Sequence, residues 1–123
     1  MVNINDKSWN DLQFKDIENY LQDPDSSENF FFEYKLDKVD PAKLVKEISA
    51  FANTYGGYIL LGVGDDKSIV GCTAWDEQRI HVTVHHGITP TPEFDVREFS
   101  SGDKTIYVIK IELPGRSDHT DKN

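Results

Sequence analysis

Asp40-Pro41-Ala42-Lys43-Leu44-Val45-Lys46-Glu47-Ile48-Ser49-Ala50-Phe51-Ala52-Asn53, then Thr54-Tyr55-Gly56-Gly57, then Tyr58-Ile59-Leu60-Leu61-Gly62-Val63, is the stretch on which the fold turns. Aspartate followed by proline is a helix N-cap with proline at the first helical position, and Leu44, Ile48, Phe51 and Ala52 recur along one helical face. Gly56-Gly57 ends that helix in conformations that side chains disfavour. Tyr58 to Val63 is an unbroken apolar run, as a central strand buried on both faces requires. A helix leading through a glycine turn into a buried strand predicts a sheet covered by helices.

On the N-terminal side, Phe30 to Leu36 reads as a strand rich in aromatic residues, preceded by the polar loop Asp25-Ser26-Ser27-Glu28. Ser8-Trp9-Asn10-Asp11 has the form of a helix start. Phe14, Ile17 and Leu21 follow at helical spacing and Pro24 stops the segment, which predicts a helix over about 11–22. On the C-terminal side, Gly64-Asp65-Asp66-Lys67 is a turn into a short strand from Ser68 to Cys72. Thr73-Ala74-Trp75-Asp76 reads as a capping box opening a third helix, which carries Ile80, Val84 and Ile88 and ends at Thr89-Pro90-Thr91-Pro92. Phe94 to Phe99 and Lys104 to Glu112 are two strands joined across Ser100-Ser101-Gly102-Asp103. The predicted order is α-β-α-β-β-α-β-β. It defines one α+β domain, with a mixed sheet of about five strands packed with about three helices. Residues 1–13 read as an N-terminal extension, 14–113 as the domain and 114–123 as a polar tail.

A chain of 123 residues, 37% of them hydrophobic, supplies one packed core and no second domain. No apolar stretch approaches the roughly 20 residues of a membrane span and no basic-then-apolar leader opens the chain, so a cytoplasmic protein without a membrane partner is expected. The one cysteine, Cys72, leaves no internal disulfide and no zinc-type cysteine spacing. It is expected to be a small buried residue beside a strand. Thirteen Lys and Arg against 22 Asp and Glu give a formal charge of -9, which repels polyanions at long range. The acids gather between Asp23 and Glu28 and at Asp118 and Asp121, whereas Lys35, Lys38, Lys43 and Lys46 fall together. A locally basic face on an acidic domain is compatible with that distribution.

Glu33 and Lys35 stand two apart on a predicted strand and project from one face, so Glu28 must act from the preceding loop if it acts with Glu33. Carboxylates converging with a lysine suit a hydrolytic magnesium or manganese site, with Asp65 completing it if its strand neighbours the one carrying Glu33. The plainer reading of Glu33 and Lys35 is a solvated charge pair. His81 and His85 are one helical turn apart but lack the accompanying carboxylate of known zinc motifs, and read as an incidental pair. Gly62-x-Gly64 has no third glycine and no Gly-Lys-Ser or Gly-Lys-Thr follows, so no P-loop for ATP is present. No Gly-x-Ser-x-Gly turn supports Ser-His-Asp chemistry. The run Phe30-Phe31-Phe32 with Tyr34 fits alternating burial in a sheet more simply than base stacking.

The pattern Ser27-Glu28-x4-Glu33-Tyr34-Lys35, Ile48-Ser49-Ala50-Phe51-Ala52-Asn53-x-x-Gly56-Gly57 and Gly62-Val63-x-Asp65-Asp66-x4-Gly71 resembles the Schlafen AlbA_2 domain, once described as a divergent ATP-binding (AAA) domain. The similarity spans about residues 14–113, and Gly71-Cys72-Thr73-x-Trp75-x-Glu77-Gln78-Arg79-Ile80-His81 and Ile88-x-Pro90-x-Pro92-x-Phe94 resemble one bacterial branch. The resemblance implies a nucleic-acid-binding domain, regulatory in many bacterial relatives. Lys35, Lys43 and Lys46 would then meet the phosphates of DNA or structured RNA and Asn53 would organise the backbone around them, with modest affinity given the overall charge. In nuclease members the acids of a Glu-x4-Glu motif and a downstream aspartate cleave structured RNA with a divalent metal. Carried over, these are Glu28 and Glu33 with Asp65 or Asp66, Lys35 assisting and Mg2+ or Mn2+ as cofactor. Here Gly64 takes the first acidic position of the usual Gly-Val-Asp-Asp-x-Gly and Lys67 replaces its glycine. Gly56, Gly57 and Gly62 match structural motif positions, and the helix-cap reading of Asn53 stands beside the ligand-contact one. Relatives usually continue past a segment like Leu113-Pro114-Gly115 into another strand, so the domain is expected to lack its last strand. A third reading is a protein-interaction or homodimerisation module that retains the scaffold alone.

Overall fold

Asp40 opens the central helix as its sequence dictates: its carboxylate accepts the Ala42 and Lys43 N–H groups at 2.9 and 3.4 Å in the computed structural model, which describes residues 3–24, 26 and 31–113. This helix, α2, spans Pro41–Ala52 and buries Leu44, Ile48, Phe51 and Ala52. It follows α1 (Phe14–Gln22) and β1 (Phe32–Lys35) and precedes β2 (Gly57–Leu61), α3 (Glu77–Gly87), β3 (Phe94–Ser101) and β4 (Lys104–Ile111).

The turn from α2 into β2 is set by close approach. Gly56 has φ +72°, its N–H donates to the Phe51 carbonyl at 2.9 Å, and a Cβ there would meet the Ile111 carbonyl oxygen at 2.6 Å. A Cβ on Gly57 would stand 2.6 Å from the Phe51 ring. Two glycines therefore let the strand leave flush against the helix and against β4.

The sheet order is β1-β2-β4-β3, with β1 parallel to β2 and the other pairs antiparallel. Every residue of β2 is buried, because helices cover both faces of the sheet. Ile59, Leu61, Val96, Tyr107, Ile109 and Ile111 form one core with α2 and with Ile80 and Val84 of α3. Phe32, Tyr34, Tyr58, Leu60, Phe99, Ile106 and Val108 form a second with Ile17 and Leu21 of α1 and with Ile4 and Leu12 ahead of it. The mixed α+β class stands as expected. No described helix is long and apolar enough to cross a membrane.

Three local readings are corrected. Four strands are present rather than five: within the expected strand from Ser68 to Cys72 the sheet contact is one bridge, Ile69 with Val63. Val70 and Gly71 both spend their N–H groups on the Gly62 carbonyl, each at 2.9 Å, and Cys72 donates to Thr105, so the segment bends away from any ladder. The first helix begins at Phe14, because Trp9–Asp11 forms a separate 3-10 turn in which Ser8 Oγ donates to Asp11 at 2.8 Å; the N-cap is instead Gln13, whose N–H donates to Asp16 in the first turn at 2.9 Å. The third helix is capped by Asp76, which accepts the Arg79 N–H at 2.7 Å, because Thr73 is engaged elsewhere. The first strand is described from Phe32; Phe30 lies outside the described residues.

Candidate nucleic-acid interface

Strand β1 is an edge strand whose Phe32 and Tyr34 side chains enter the core beneath α1, so Glu33 and Lys35 project to the α2 side of the sheet. There the Lys35 ammonium meets Glu33 at 2.7 Å and Glu47 of α2 at 3.7 Å. Glu47 in turn lies 3.7 Å from Lys43, one helical turn earlier. A row of alternating charge, Glu33, Lys35, Glu47, Lys43, thus runs from the sheet edge onto the helix. Lys35 is 17% exposed and Lys43 52%, so the row grades from a shielded strand end to an open helix surface. Lys46 on α2 and Lys38 on the β1–α2 turn are exposed and make no ion pair among the described residues.

The β1–α2 turn is fixed by a residue that sequence reading passed over. Asp37 accepts the N–H groups of Thr73, Ala74 and Trp75 at 3.0, 2.9 and 3.2 Å, and the Thr73 hydroxyl at 3.2 Å. Burial works against its charge, but the donors converging from Thr73, Ala74 and Trp75 outweigh it and hold the pKa below the usual carboxylate value. Trp75, buried next to this loop, donates from Nε1 to the Val39 carbonyl at 3.3 Å, and the Arg79 guanidinium lies 4.0 Å from its ring centre. The start of α2, and with it Lys38 and Lys43, is thereby tied to the segment leading into α3. Cys72 beside it is half-buried; burial, with Asp37 nearby, pushes its thiol up to about 12, which leaves it inert as a nucleophile at neutral pH.

The other expected site residues are placed as follows. Asn53 is the C-cap residue of α2, exposed, its amide 3.5 Å from Ser49 Oγ. It lies ten positions beyond Lys43, about 15 Å along the helix axis, so α2 does not bring it beside that lysine. Asp65 is exposed on the turn closed by Lys67 N–H to the Gly64 carbonyl at 2.9 Å. Asp66 is used within that turn, accepting the Ser68 hydroxyl at 2.6 Å and its N–H at 3.1 Å, and these bonds hold its pKa low. Glu28 lies outside the described residues. Among the described residues no group of three His, Cys, Asp or Glu is arranged to hold a metal ion. His81 and His85 flank Phe94 with ring centres 4.9 and 5.8 Å from it and 6.3 Å from each other. Phe32 stacks on Tyr20 and Tyr58 inside the core, and the buried Tyr34 hydroxyl donates to the Ser26 carbonyl.

Fold and site together define a small α+β domain with a lysine-bearing helix beside an edge-strand Glu-x-Lys pair. Residues 28–123 match the Schlafen AlbA_2 family, and the chain belongs to it. Two solved structures share the fold. The N-terminal domain of a RecG-related protein from Nitrosomonas europaea, named for ATP-dependent DNA helicases, superposes with a TM-score of 0.57 at 18% identity, over 83% of this chain and 76% of that one. The DIP2311 protein from Corynebacterium diphtheriae gives 0.60 at 20% identity, over 80% of this chain and 22% of its own. At these identities the likeness speaks for the fold.

Proposed function

We propose that this domain binds nucleic acid through the phosphate backbone, using the lysine face that α2 and the β1–α2 turn present. The observation that carries the reading is the grouping of Lys38, Lys43 and Lys46, all exposed, beside Lys35 on a chain of net charge -9. A small cationic patch on an acidic body gives weak, backbone-directed contacts with little sequence preference. The membership in Schlafen AlbA_2 and the helicase-related name of one structural neighbour agree with it.

The test is fluorescence anisotropy with labelled duplex DNA and with a structured RNA, titrated across salt. Two to three phosphate contacts predict a slope of log K against log salt of roughly -2 to -3 on duplex DNA. Lys43→Ala with Lys46→Ala is expected to weaken binding about tenfold at low salt and to flatten that slope by about two. Binding that ignores salt, or that survives the double substitution unchanged, would overturn the reading.

A metal-dependent RNA endonuclease draws support from the Glu33–Lys35 contact alone. The fit to a shared Mg2+ or Mn2+ is poor among the described residues: Glu33 is bound to an ammonium and Asp65 is on an exposed turn. No cleavage step is therefore derived through a cation. Discrete RNA products with manganese, lost in Glu33→Ala, would establish that activity over simple binding.

A further inference from the structure

The charge row places one carboxylate where a phosphate is needed. Glu47 Oε2 stands 3.7 Å from the ammonium groups of both Lys35 and Lys43, so two lysines of the proposed interface share this carboxylate, Lys35 having Glu33 besides. We propose that Glu47 is an internal competitor for phosphate. It mimics the bridging anion in the free domain and is displaced from between Lys35 and Lys43 when a phosphodiester binds. The inference rests on the nucleic-acid reading above and adds its control element.

Contact lengths separate the roles of the two glutamates. Glu33 holds Lys35 at 2.7 Å from two positions away on the same rigid strand and keeps that ammonium in place. Glu47 makes two contacts at 3.7 Å, beyond direct hydrogen-bond range. Partly exposed pairs of that length are weak, so an incoming phosphate oxygen can replace the carboxylate without dismantling the helix. The order of the residues points the same way. Within α2 the lysine precedes the glutamate by four, the less favourable orientation for helix stability, so Glu47 is a poor helix staple. Lys46, without an ion pair among the described residues, remains the open first contact. Summing Lys35, Lys38, Lys43 and Lys46 against Glu33 and Glu47 leaves two net positive charges; removing Glu47 raises that to three. The device makes the face selective for dense phosphate arrays, which supply several anions at once, over single anions that must exchange one for one.

The experiment compares the full chain with Glu47→Gln and Glu47→Ala on the duplex DNA and structured RNA used above. Glu18→Gln serves as the control for net charge: it removes the same charge on α1, across the sheet from α2, where Glu18 pairs with Lys15 at 3.9 Å. Both Glu47 variants are expected to bind about three- to tenfold more tightly at low salt, with a salt slope steeper by about one, while Glu18→Gln binds as the native chain does. Tighter binding is a change that mere loss of a structural contact does not produce. If the native chain binds and the Glu47 variants bind equally or more weakly, or if Glu18→Gln tightens as much, Glu47 is no competitor and the binding reading stands without it. If neither native nor Glu47 variants bind at low salt, the nucleic-acid reading falls and this inference with it.

Discussion

Asp37, which belongs to none of the sequence motifs, joins the β1–α2 turn to the segment that leads into α3. Its carboxylate accepts three successive N–H groups at a corner that is exposed at Thr73 and Ala74 and buried at Trp75. Asp37→Asn keeps the shape but loses the charge and turns one acceptor oxygen into a donor. We expect a loss of about 1 to 2 kcal/mol at neutral pH, read from urea midpoints. The pH dependence has a definite sign. A carboxyl whose folded pKa is depressed stabilises the fold above its unfolded value and loses that contribution as pH falls through the folded one. The gap between native and Asp37→Asn is therefore expected to be full above about pH 5 and to close as pH falls below 3.8. A gap that is constant with pH would mean that the charge is not what matters. Nothing in the sequence near Asp37 announces this role, because its donors lie 36 to 38 positions away. Glu33 and Lys35 were legible, since a period of two fixes their common side. Glu47 was not, because its place between two lysines arises only when β1 and α2 approach.

At the scale of elements, α2 and the turn after it were readable because every signal is local: the Asp-Pro start, one apolar stripe and the paired glycines. The strand expected over Ser68 to Cys72 failed because ladder formation needs free N–H groups, and the Gly62 carbonyl takes those of Val70 and Gly71. Propensity cannot foresee that competition. The glycine turn itself is testable against an internal standard. Gly56 and Gly102 both have positive φ, +72° and +62°, but a Cβ at Gly56 would meet the Ile111 carbonyl at 2.6 Å whereas one at Gly102 meets nothing within 4 Å. Gly102→Ala is expected to lose only about 1 kcal/mol of conformational preference, and Gly56→Ala at least about 2 kcal/mol more from the added contact with β4. Equal urea midpoints for the two variants would show that the α2–β2 junction yields more easily than its geometry implies.

For the whole molecule, of the two cores on opposite faces of the sheet, the one beneath α1 includes residues from the segment ahead of that helix, within the stretch 1–13 that reads in the sequence as an N-terminal extension. Ile4 is 1% exposed and Leu12 2%, and both join the core beneath α1. Trp9 between them donates from Nε1 to Asp95 at 2.8 Å, accepts from Arg97 through its carbonyl, and lies over Lys110 at 5.0 Å from ring centre to ammonium. It therefore fastens the segment across β3 and β4, at the sheet edge opposite β1. Burying two such aliphatic side chains contributes about 3 to 6 kcal/mol, a large share of the roughly 5 to 15 kcal/mol that keeps a domain of this size folded. A chain beginning at Phe14 is accordingly expected to lose most of its cooperative unfolding transition, and Trp9→Ala to shift the urea midpoint down by about 2 kcal/mol equivalent. Trp75, buried in the other core, is the fluorescent reporter that survives both changes. A truncated chain that unfolds at the native midpoint would make residues 1–13 dispensable. The lysine face lies on the far side of the sheet from this segment, so Trp9→Ala, where folded, should bind nucleic acid as the native chain does. That separation ties the stability of the α1 side to the integrity of the sheet while leaving the α2 side free to be tuned by charge alone.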